Sequence, residues 1–599
     1  MQGLLQELER LPGVAALRTA LAGGRSQRAT GLAGSSRSVL AASLFGGLRR
    51  TLLVVTSTTA TAEAWYSDLH ALVRGETDDL APPLRLFPAL QTLLYDDAGV
   101  DKQLVGQRLD AMEALLRGEP TIIVAPLAAL LHRTIPRSAL QGSDLTVEVG
   151  DQQEPEPLVA RLIELGYQRH DPVVQPGQVA LRGGIVDVYP ITAPAPLRIE
   201  FFGDEIESIR FFDVNSQRST RPQSRFTVTV SRESVRTRAL DASAVAAIGN
   251  AVEDQCGQLE RQGRTLEAKR LRAKVARDLR RLEAEEAFDG SDQYLPFLYD
   301  EMATLIDYLP RDAVVLMDEP AHLAMRGVEL SREIDEVYRN KLAGGAVLAV
   351  PAPLYLRHLP EQPLWAAHTQ LALTADETPA PGVPDAVDQA FGVVSLPPFG
   401  GDLDRAMAAI SQWTVERQRL LFLTHQVGRL RQILGTRGAA DVRELAVDEL
   451  PAPGEAGIID QRLAHGFLVP ELGLCVLTDQ ELFGWRRARM LGGRSLAKRN
   501  STALASLTEL AVGDLVVHVH HGIGIYAGLV TRTVAEVERD FLQIDYAGSD
   551  RLFVPVTELD RVQKYIGPDG RQPALNGLGD SKWRDRKSTR LNSSHLGIS

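Results

Sequence analysis

The sequence predicts a multidomain α/β protein that ends in a small all-β domain, and three observations support this fold class. First, short apolar runs such as "TLLVVTS" (51–57) and "TIIVAPLAALL" (121–131) each lead into a helical pattern, as parallel strands do in α/β sheets. Second, from about 141 to 228 the pattern changes to short alternating strands. Third, from 509 to 566 short strands are separated by Gly and Asp, which indicates a small barrel.

Individual elements follow from the same patterns. The segment "LRIEFFGDEIESIRFF" (197–212) predicts a hairpin with Gly203 and Asp204 at its turn. Residues 264–284 predict a helix with one apolar face: Leu271, Val275, Leu279 and Leu282. Pro and Ala are dense between 351 and 400, which favours a linker or an irregular junction, and a further α/β pattern runs from about 392 to 484.

Length and composition limit the classes of protein. At 599 residues the chain has room for roughly three to five domains. The net charge of −12 argues against nonspecific coating of DNA, which needs clustered Lys and Arg. Two cysteines, Cys256 and Cys475, provide neither a disulfide framework nor a metal quartet, so we expect a reducing cytoplasm. The N-terminus lacks a signal-peptide pattern, and no apolar run is long enough to span a membrane.

A P-loop-like motif, "GLAGSSRS" (31–38), precedes the strand at 51–57. A working P-loop reads G-x-x-x-x-G-K-[ST]. Gly31 and Ser38 keep the outer positions, but Ser36 replaces the second Gly and Arg37 replaces the Lys. Arg supplies charge without the compact ammonium group, and Ser36 adds a Cβ where the backbone must approach phosphate. The motif therefore indicates either an inherited site that no longer hydrolyses ATP or an unrelated loop.

The strand "AVVLMDEP" (313–320) ends in Asp318 and Glu319, where a Walker-B-like motif would hold Mg²⁺. With a sound P-loop this pair would be strong evidence for an NTPase. Without one, the two acids are either part of the same inherited shell or ordinary residues at a strand end.

Alternation along "LRIEFF" (197–202) predicts which side chains face the core. Leu197, Ile199 and Phe201 share one face, and Arg198, Glu200 and Phe202 share the other. A Phe beside an Arg on a polar face is typical of a protein-binding anchor, although single exposed apolar residues are also normal.

A histidine cluster and a basic run are weaker indications of a functional site. "HVHHGIG" (518–524) brings together His518, His520 and His521, but no carboxylate or Cys completes a ligand set, so a strand entering a tight turn explains it better than a metal site. The basic run "RRARMLGGRSLAKR" (486–499) is expected to be a solvated linker, with contact to DNA or an acidic partner as the alternative. The sequence contains no catalytic triad and no zinc spacing.

Longer stretches resemble a known family. "GQVALRGGIVDVYPITAPAPLRIEFFGDEIESIRFFDVNSQRS" (177–219) resembles UvrB of bacterial nucleotide excision repair, and more closely the homologous module of the transcription-repair coupling factors. "GDLVVHVHHGIGIYAGL" (513–529) and "DFLQIDYAGSDRLFVPVTELDRVQKYIG" (540–567) are similar to that family's RNA-polymerase-interacting domain, a Tudor-like barrel that UvrB lacks. "HGFLVPELGLCVLTDQELFG" (465–484) is similar to the stretch preceding it. The resemblance covers nearly all of residues 1–587.

The resemblance implies an architecture for the whole chain. A degenerate UvrB-like α/β module would comprise 1–140 and 229–385, with a small β-rich domain, 141–228, inserted between its two parts. The remaining segments would be a small α/β domain (386–484), a linker (485–508), the SH3- or Tudor-like barrel (509–575), and the start of a linker helix followed by a non-native-looking tail (576–599).

The resemblance also implies partners and the residues that contact them. The inserted domain would bind the excision-repair protein UvrA through Arg182, Arg198 and Phe202. The barrel would bind the β subunit of RNA polymerase, partly by adding the edge of strand 525–533 to the partner's sheet. The matching positions on that strand are Ile525, Tyr526, Leu529 and Arg532.

For nucleotides, the resemblance implies that the UvrB-like module has lost binding, so no cofactor, no metal and no catalytic residue are expected in this chain. ATP, Mg²⁺ and most contacts to duplex DNA would belong to the family's motor domains, which follow the barrel and are absent here. The expected role is a cytoplasmic, non-enzymatic docking platform. Two alternatives remain: a UvrB-like ATPase acting on damaged DNA, and a polymerase-binding transcription regulator that uses only the barrel.

Overall fold

The computed structural model describes residues 1–73, 83–90, 101–233, 242–284, 288, 290–299, 301–350, 353–356, 363–376, 387–399, 402–437, 442–483, 515–518, 522–534, 537–546, 551–555 and 562–564. The chain divides into two compact units, Met1–Arg489 and Met490–Ser599, and each is described by itself.

The strands in chain order are β1 (Gln27–Thr30), β2 (Leu52–Thr56), β3 (Leu84–Leu86), β4 (Ile122–Pro126), β5 (Leu145–Glu148), β6 (Gln168–Arg169), β7 (Gln178–Arg182), β8 (Ile185–Tyr189), β9 (Leu197–Phe202), β10 (Glu205–Phe212), β11 (Ser219–Gln223), β12 (Arg225–Val228), β13 (Val314–Asp318), β14 (Thr369–Leu373), β15 (Val387–Ala390), β16 (Arg419–Leu423), β17 (Val442–Glu444), β18 (Ala456–Ile459), β19 (Phe467–Val469), β20 (Leu474–Thr478), β21 (Leu515–His518), β22 (Gly522–Val534), β23 (Val537–Asp545), β24 (Arg551–Pro555) and β25 (Val562–Lys564).

The α-helices in chain order are α1 (Gln2–Leu8), α2 (Pro12–Ala22), α3 (Ser36–Leu48), α4 (Thr59–Val73), α5 (Lys102–Arg117), α6 (Leu127–Leu130), α7 (Arg137–Leu140), α8 (Pro155–Glu164), α9 (Ala242–Arg261), α10 (Thr265–Glu283), α11 (Leu295–Leu298), α12 (Leu305–Tyr308), α13 (Pro320–Ala343), α14 (Leu403–Val415), α15 (Val427–Arg437) and α16 (Asp479–Phe483). Two 3₁₀ turns, Ser291–Tyr294 and Pro470–Leu472, complete the described helical residues.

The first unit is built around a seven-stranded sheet whose paired strands are all parallel, in the order β15-β1-β14-β13-β2-β4-β3. The central strands β2, β4 and β13 are buried along their whole length, as expected for apolar runs covered on both faces of a sheet. The predicted parallel α/β organisation is therefore confirmed. In the predicted helix at 264–284, α10 buries Leu271, Val275 and Leu282 and half-buries Leu279, so the predicted face is correct.

A six-stranded sheet, in the order β11-β10-β9-β8-β7-β6, forms the β-rich segment. The predicted hairpin is present: β9 and β10 are antiparallel, Phe202 pairs with Glu205, and Gly203 takes a φ of 68° at the turn. One face of the sheet contributes to a large apolar core that includes Val186, Leu197 and Ile199. The strands β5 and β12 pair at its base, so the first and last residues of the segment lie side by side.

A second α/β sheet has the order β17-β18-β16-β20-β19, with β19 antiparallel to its neighbour and the other pairs parallel. Its inner side chains, including Leu421 and Ile459, lie in the same apolar cluster as Leu52 and Val54 of the seven-stranded sheet. The two α/β sheets therefore share one core.

The second unit contains a five-stranded antiparallel sheet in the order β24-β23-β22-β21-β25. Its small core consists of Val516, Tyr526, Leu542, Ile544 and Tyr546. Among the described residues no pairing between β24 and β25 closes this sheet into a barrel, so the predicted closed barrel is not confirmed.

Candidate docking surfaces and the P-loop-like site

The P-loop-like motif lies where a P-loop would lie, between a parallel strand and the helix that follows it. The strand β1 ends at Thr30, the loop 31–35 follows, and α3 begins at Ser36. Both loop glycines use left-handed backbone, with φ of 66° at Gly31 and 57° at Gly34, which only glycine adopts without cost. The strand–loop–helix geometry that the motif requires is therefore present.

Backbone N–H groups of the loop form hydrogen bonds with other parts of the chain. Its N–H groups donate to main-chain carbonyl oxygens: Gly31 to Asp376 at 3.4 Å, Leu32 to Thr374 at 3.0 Å and Ser35 to His465 at 3.4 Å. In a P-loop such N–H groups cradle phosphates instead. These carbonyl groups come from the segment after β14 and from the second α/β sheet, which the sequence did not connect to the motif.

The segment 464–466 lies directly on the loop. The N–H of His465 donates to Ser35 Oγ at 3.0 Å, and the N–H of Ala464 donates to Asp68 Oδ1 at 2.7 Å. A Cβ added to Gly34 would lie 2.5 Å from the carbonyl oxygen of Gly466, so the two backbones are in close contact. The connection between β18 and β19 of the second α/β sheet therefore lies against the loop.

Arg37, which stands at the lysine position, contacts the two acids at the end of β13. Its Nη1 donates to Asp318 Oδ1 and, at 3.0 Å, to Glu319 Oε1. The Glu319 carboxylate also accepts from the N–H of Ala375 at 2.9 Å. Burial raises the pKa of Asp318 above its ordinary value, and the Arg37 guanidinium opposes that rise. The structure thus brings the two predicted motifs together, through an ion pair that spacing alone does not reveal.

The outer face of the six-stranded sheet carries the residues that the resemblance assigns to UvrA. Arg182 lies on β7, Arg198 and Phe202 lie on β9, and Asp187 lies on β8 between them. Arg198 is paired in register with Asp187, so both project from the same face. The sequence analysis did not identify Asp187, although a lone acid at an alternating position between two arginine-bearing strands is a readable signal.

Asp187 is fully buried and holds both arginines. Its Oδ1 accepts from Arg198 Nε at 2.8 Å, and its Oδ2 accepts from Arg198 Nη2 at 2.9 Å and from Arg182 Nη2. Hydrogen bonding to Asp187 raises the pKa of Arg198 further above its ordinary value. The guanidinium of Arg198 also lies 4.9 Å from the centre of the Phe212 ring.

Phe202 stands at the end of β9 with 79% of its surface exposed. Leu197 and Ile199 are buried and Phe201 is partly buried, so the predicted division of "LRIEFF" into an inner and an outer face is correct. Arg198 lies on the outer face, but its side chain is only 16% exposed.

The strand that the resemblance assigns to RNA polymerase is β22, whose pairing changes along its length. Residues 522–525 pair with β21, whereas β22 from Ile525 onward pairs with β23, and within the described residues only Ile525 pairs with both. One edge of β22 beyond Tyr526 is therefore without a described strand neighbour. Leu529 and Arg532 lie on this part of the strand, and their side chains lie outside the described residues.

Tyr526 lies on the same strand. Its side chain is 5% exposed and packs in the small core of the second unit. Ile525, the preceding residue, is partly buried.

A buried ion pair that the sequence analysis missed lies at the end of the β-rich segment. Arg108 on α5 is fully buried, and its guanidinium donates to both carboxylate oxygens of Glu233. Glu233 also accepts from Thr134 Oγ1 at 2.9 Å. Burial and the neighbouring Arg108 lower the pKa of His132 to about 3, so this imidazole is neutral at physiological pH.

The remaining predictions concern metals, thiols and membranes. Cys256 and Cys475 are both free and buried, which agrees with the predicted absence of a disulfide. Within the residues that the structure describes, no group of three or more His, Cys, Asp or Glu is placed to hold a metal ion; His520 and His521 lie outside them. No described helix is long and apolar enough to cross a membrane.

Comparisons with known proteins address the same two regions. Residues 145–233 match the UvrB interaction domain, and residues 510–566 match the CarD-like/TRCF RID domain. The transcription-repair-coupling factor of Bacillus subtilis (strain 168) is 29% identical over 583 residues, which cover 94% of this chain and 47% of that protein. The transcription-repair-coupling factor of Staphylococcus aureus (strain MRSA252) is 27% identical over 570 residues, with 93% and 47% covered.

The chain spans about half the length of the curated relatives it matches. The six-stranded sheet lies inside the first domain match, and β21 to β25 lie inside the second. The chain is therefore a homologue of the transcription-repair-coupling factors over nearly its whole length.

Proposed function

We propose that this chain is a docking platform for transcription-coupled DNA repair, which binds RNA polymerase through residues 510–566 and UvrA through residues 145–233. The observation that carries the proposal is the presence of both domain matches in one chain whose relatives are named transcription-repair-coupling factors. One region would hold a polymerase stalled at a lesion, and the other would recruit the excision-repair protein.

For UvrA, the proposal uses Arg182 and Phe202 on the outer face of the six-stranded sheet. An exposed aromatic ring and an arginine are the side chains most enriched among binding hot spots. Calorimetry with purified UvrA tests this. The change of both residues to Ala is expected to abolish measurable binding, whereas Arg225→Ala, an exposed arginine on β12, leaves it unchanged.

For RNA polymerase, the proposal is that the edge of β22 adds to a sheet of the β subunit. Strand addition needs a backbone edge without a neighbour, and β22 beyond Tyr526 has this property among the described residues. Arg532→Ala is expected to weaken binding to the β subunit in a pull-down with quantified input. Arg551→Ala, an exposed arginine on β24, is the matched control. Equal loss in both variants would contradict the assignment.

For nucleotides, we propose that the P-loop-like site does not bind ATP. Three N–H groups of its loop, those of Gly31, Leu32 and Ser35, and the guanidinium of Arg37 already have partners within the chain. ATP-driven translocation on duplex DNA, with its Mg²⁺, is proposed to belong to the part of the relatives to which this chain does not align. Thermal stabilisation or hydrolysis with millimolar Mg²⁺–ATP would favour the alternative of a UvrB-like ATPase.

The alternative of a regulator that uses only residues 510–566 predicts no contact with UvrA. A sequential pull-down separates the two. Immobilised polymerase that retains UvrA only when this chain is added supports the platform, and polymerase that retains the chain without UvrA supports the regulator.

A further inference from the structure

We propose that Asp187 is a positioning residue of the UvrA-docking surface. It fixes Arg198 as part of the internal structure of the sheet and orients Arg182 toward a carboxylate of the partner. This inference rests on the proposed binding of UvrA by residues 145–233 and names which side chains of that surface make contact. It divides the three residues that the resemblance groups together into two classes, Arg198 acting inside the protein and Arg182 with Phe202 acting outside it.

The first step is the placement of Asp187. It is a carboxylate without exposed surface, on a strand between the two arginines. A buried carboxylate is costly unless charged donors surround it, and here two guanidinium groups do so. The arrangement is therefore strongly constrained: moving either arginine away would leave the buried charge with fewer donors.

The second step is that all three guanidinium nitrogens of Arg198 already donate to groups of this chain, which uses three of its five N–H donors. Its Nε and Nη2 donate to Asp187, and its Nη1 donates to the carbonyl oxygen of Gln217 at 3.1 Å. One face of its guanidinium is covered by the Phe212 ring. A side chain that is 16% exposed and bonded at every nitrogen acts as part of the scaffold.

The third step is that Arg182 keeps an open side. Its side chain is 42% exposed, and apart from Asp187 its nearest acid is Asp171, whose Oδ1 lies 3.5 Å from Arg182 Nε. Asp171 is itself more than half exposed, and such surface pairs contribute little. A carboxylate of the partner would replace Asp171 and meet a guanidinium already fixed by Asp187, which lowers the entropy lost on binding.

The fourth step is the spacing between Arg182 and Phe202. In register, Arg182 pairs with Ile185 and Ile185 pairs with Glu200, so Arg182 lies two strands from β9 on the outer face. Strands lie about 4.8 Å apart, and Phe202 is two residues beyond Glu200, so the two contacts are on the order of 12 Å apart. A single partner surface that has an acidic side chain beside an apolar pocket can therefore contact Arg182 and Phe202 together.

The test is a double-mutant cycle on the full chain, with UvrA affinity as the readout. Asp187→Asn keeps the shape of the side chain and removes its charge, and Arg182→Ala removes the proposed contact. Each single change is expected to weaken binding, Asp187→Asn by about tenfold. In the Arg182→Ala background, Asp187→Asn should cause little further loss, because the arginine that it positions is already gone.

Glu148→Gln is the matched control, since it removes a carboxylate that pairs with Arg225 on the two-stranded sheet. It is expected to leave UvrA affinity unchanged. Thermal unfolding of every variant separates loss of fold from loss of positioning. Additive losses in the cycle, or unchanged affinity of Asp187→Asn, would overturn the positioning role while leaving the proposed function in place. No binding of UvrA by the unmodified chain would overturn both.

Discussion

The P-loop-like site and the outer face of the six-stranded sheet use the same chemical groups in opposite proportions. At the first, one arginine, Arg37, lies between two carboxylates, Asp318 and Glu319. At the second, one buried carboxylate, Asp187, lies between two arginines. The first cluster is largely buried, with the Asp318 side chain 5% and the Arg37 side chain 19% exposed, and the second lies on a sheet face that carries the exposed Phe202.

The two clusters differ in how many of their charged groups are already bonded within the chain. Around Arg37 the donors and acceptors are matched to groups of the same chain, and the loop above them is bonded to Asp376, Thr374 and His465. Around Asp187 one arginine, Arg198, donates to this chain from every guanidinium nitrogen, and the other, Arg182, has a side chain that is 42% exposed. We therefore interpret the first cluster as structural and the second as a binding surface.

The largest expected effect is on stability, at Arg37. Arg37→Met is expected to lower the free energy of unfolding by about 3 kcal/mol, because it leaves the buried Asp318 without its cation. Urea denaturation followed by circular dichroism measures it. Arg161→Met, at an exposed pair with Glu164, is the control and should change stability by less than about 0.5 kcal/mol. Equal effects would show that the Arg37 cluster is not structural.

The next effect is on binding, at Phe202. Phe202→Ala is expected to cost more than about 2 kcal/mol of UvrA binding, roughly thirtyfold in affinity, through loss of an aromatic anchor. Its melting temperature should not change, because the ring is 79% exposed in the free chain. A large drop in melting temperature would mean that this face is structural too, and the contrast between the two regions would fail.

A smaller effect concerns pH, at Asp318. Its raised pKa means that the folded chain binds a proton there more tightly than the unfolded chain. Stability from this group is therefore present at low pH and is lost as pH rises above the ordinary value of 3.8 through the raised one. Asp318→Asn should flatten this fall and change stability at pH 7 by less than about 1 kcal/mol. Denaturation midpoints measured in steps from below pH 3.8 to pH 8 test it, and a steeper pH dependence in the variant would contradict the direction.

The smallest expected effect is on nucleotide binding. Restoring the motif with Ser36→Gly and Arg37→Lys together is expected to produce no thermal shift with Mg²⁺–ATP. The N–H groups of Gly31, Leu32 and Ser35 would still donate to carbonyl oxygens, and segment 464–466 would still lie on the loop. A thermal shift that requires both changes would show that Ser36 and Arg37 alone prevent nucleotide binding. It would also show that segment 464–466 does not block the site.

Local patterns predicted much of the fold because they act over a few residues. Alternation along 197–202 separated buried Leu197 and Ile199 from exposed Phe202, and the turn at Gly203 followed from the need for positive φ. The apolar runs at β2 and β4 predicted parallel strands, and the run at β13 predicted a strand. The closed barrel was inferred from short strands and turns, and strand count does not determine closure.

The sequence by itself determined which residues could form a P-loop-like turn, a hairpin and an outward-facing aromatic. Only the tertiary structure decided that Arg37 bonds Asp318, 281 positions away, and that Asp187 binds both Arg182 and Arg198. Spacing along the chain does not encode such contacts, because they depend on which strands become neighbours in a sheet. The sheet order that places β13 two strands from β1, and β8 between β7 and β9, turns these separate residues into one closed site and one open surface.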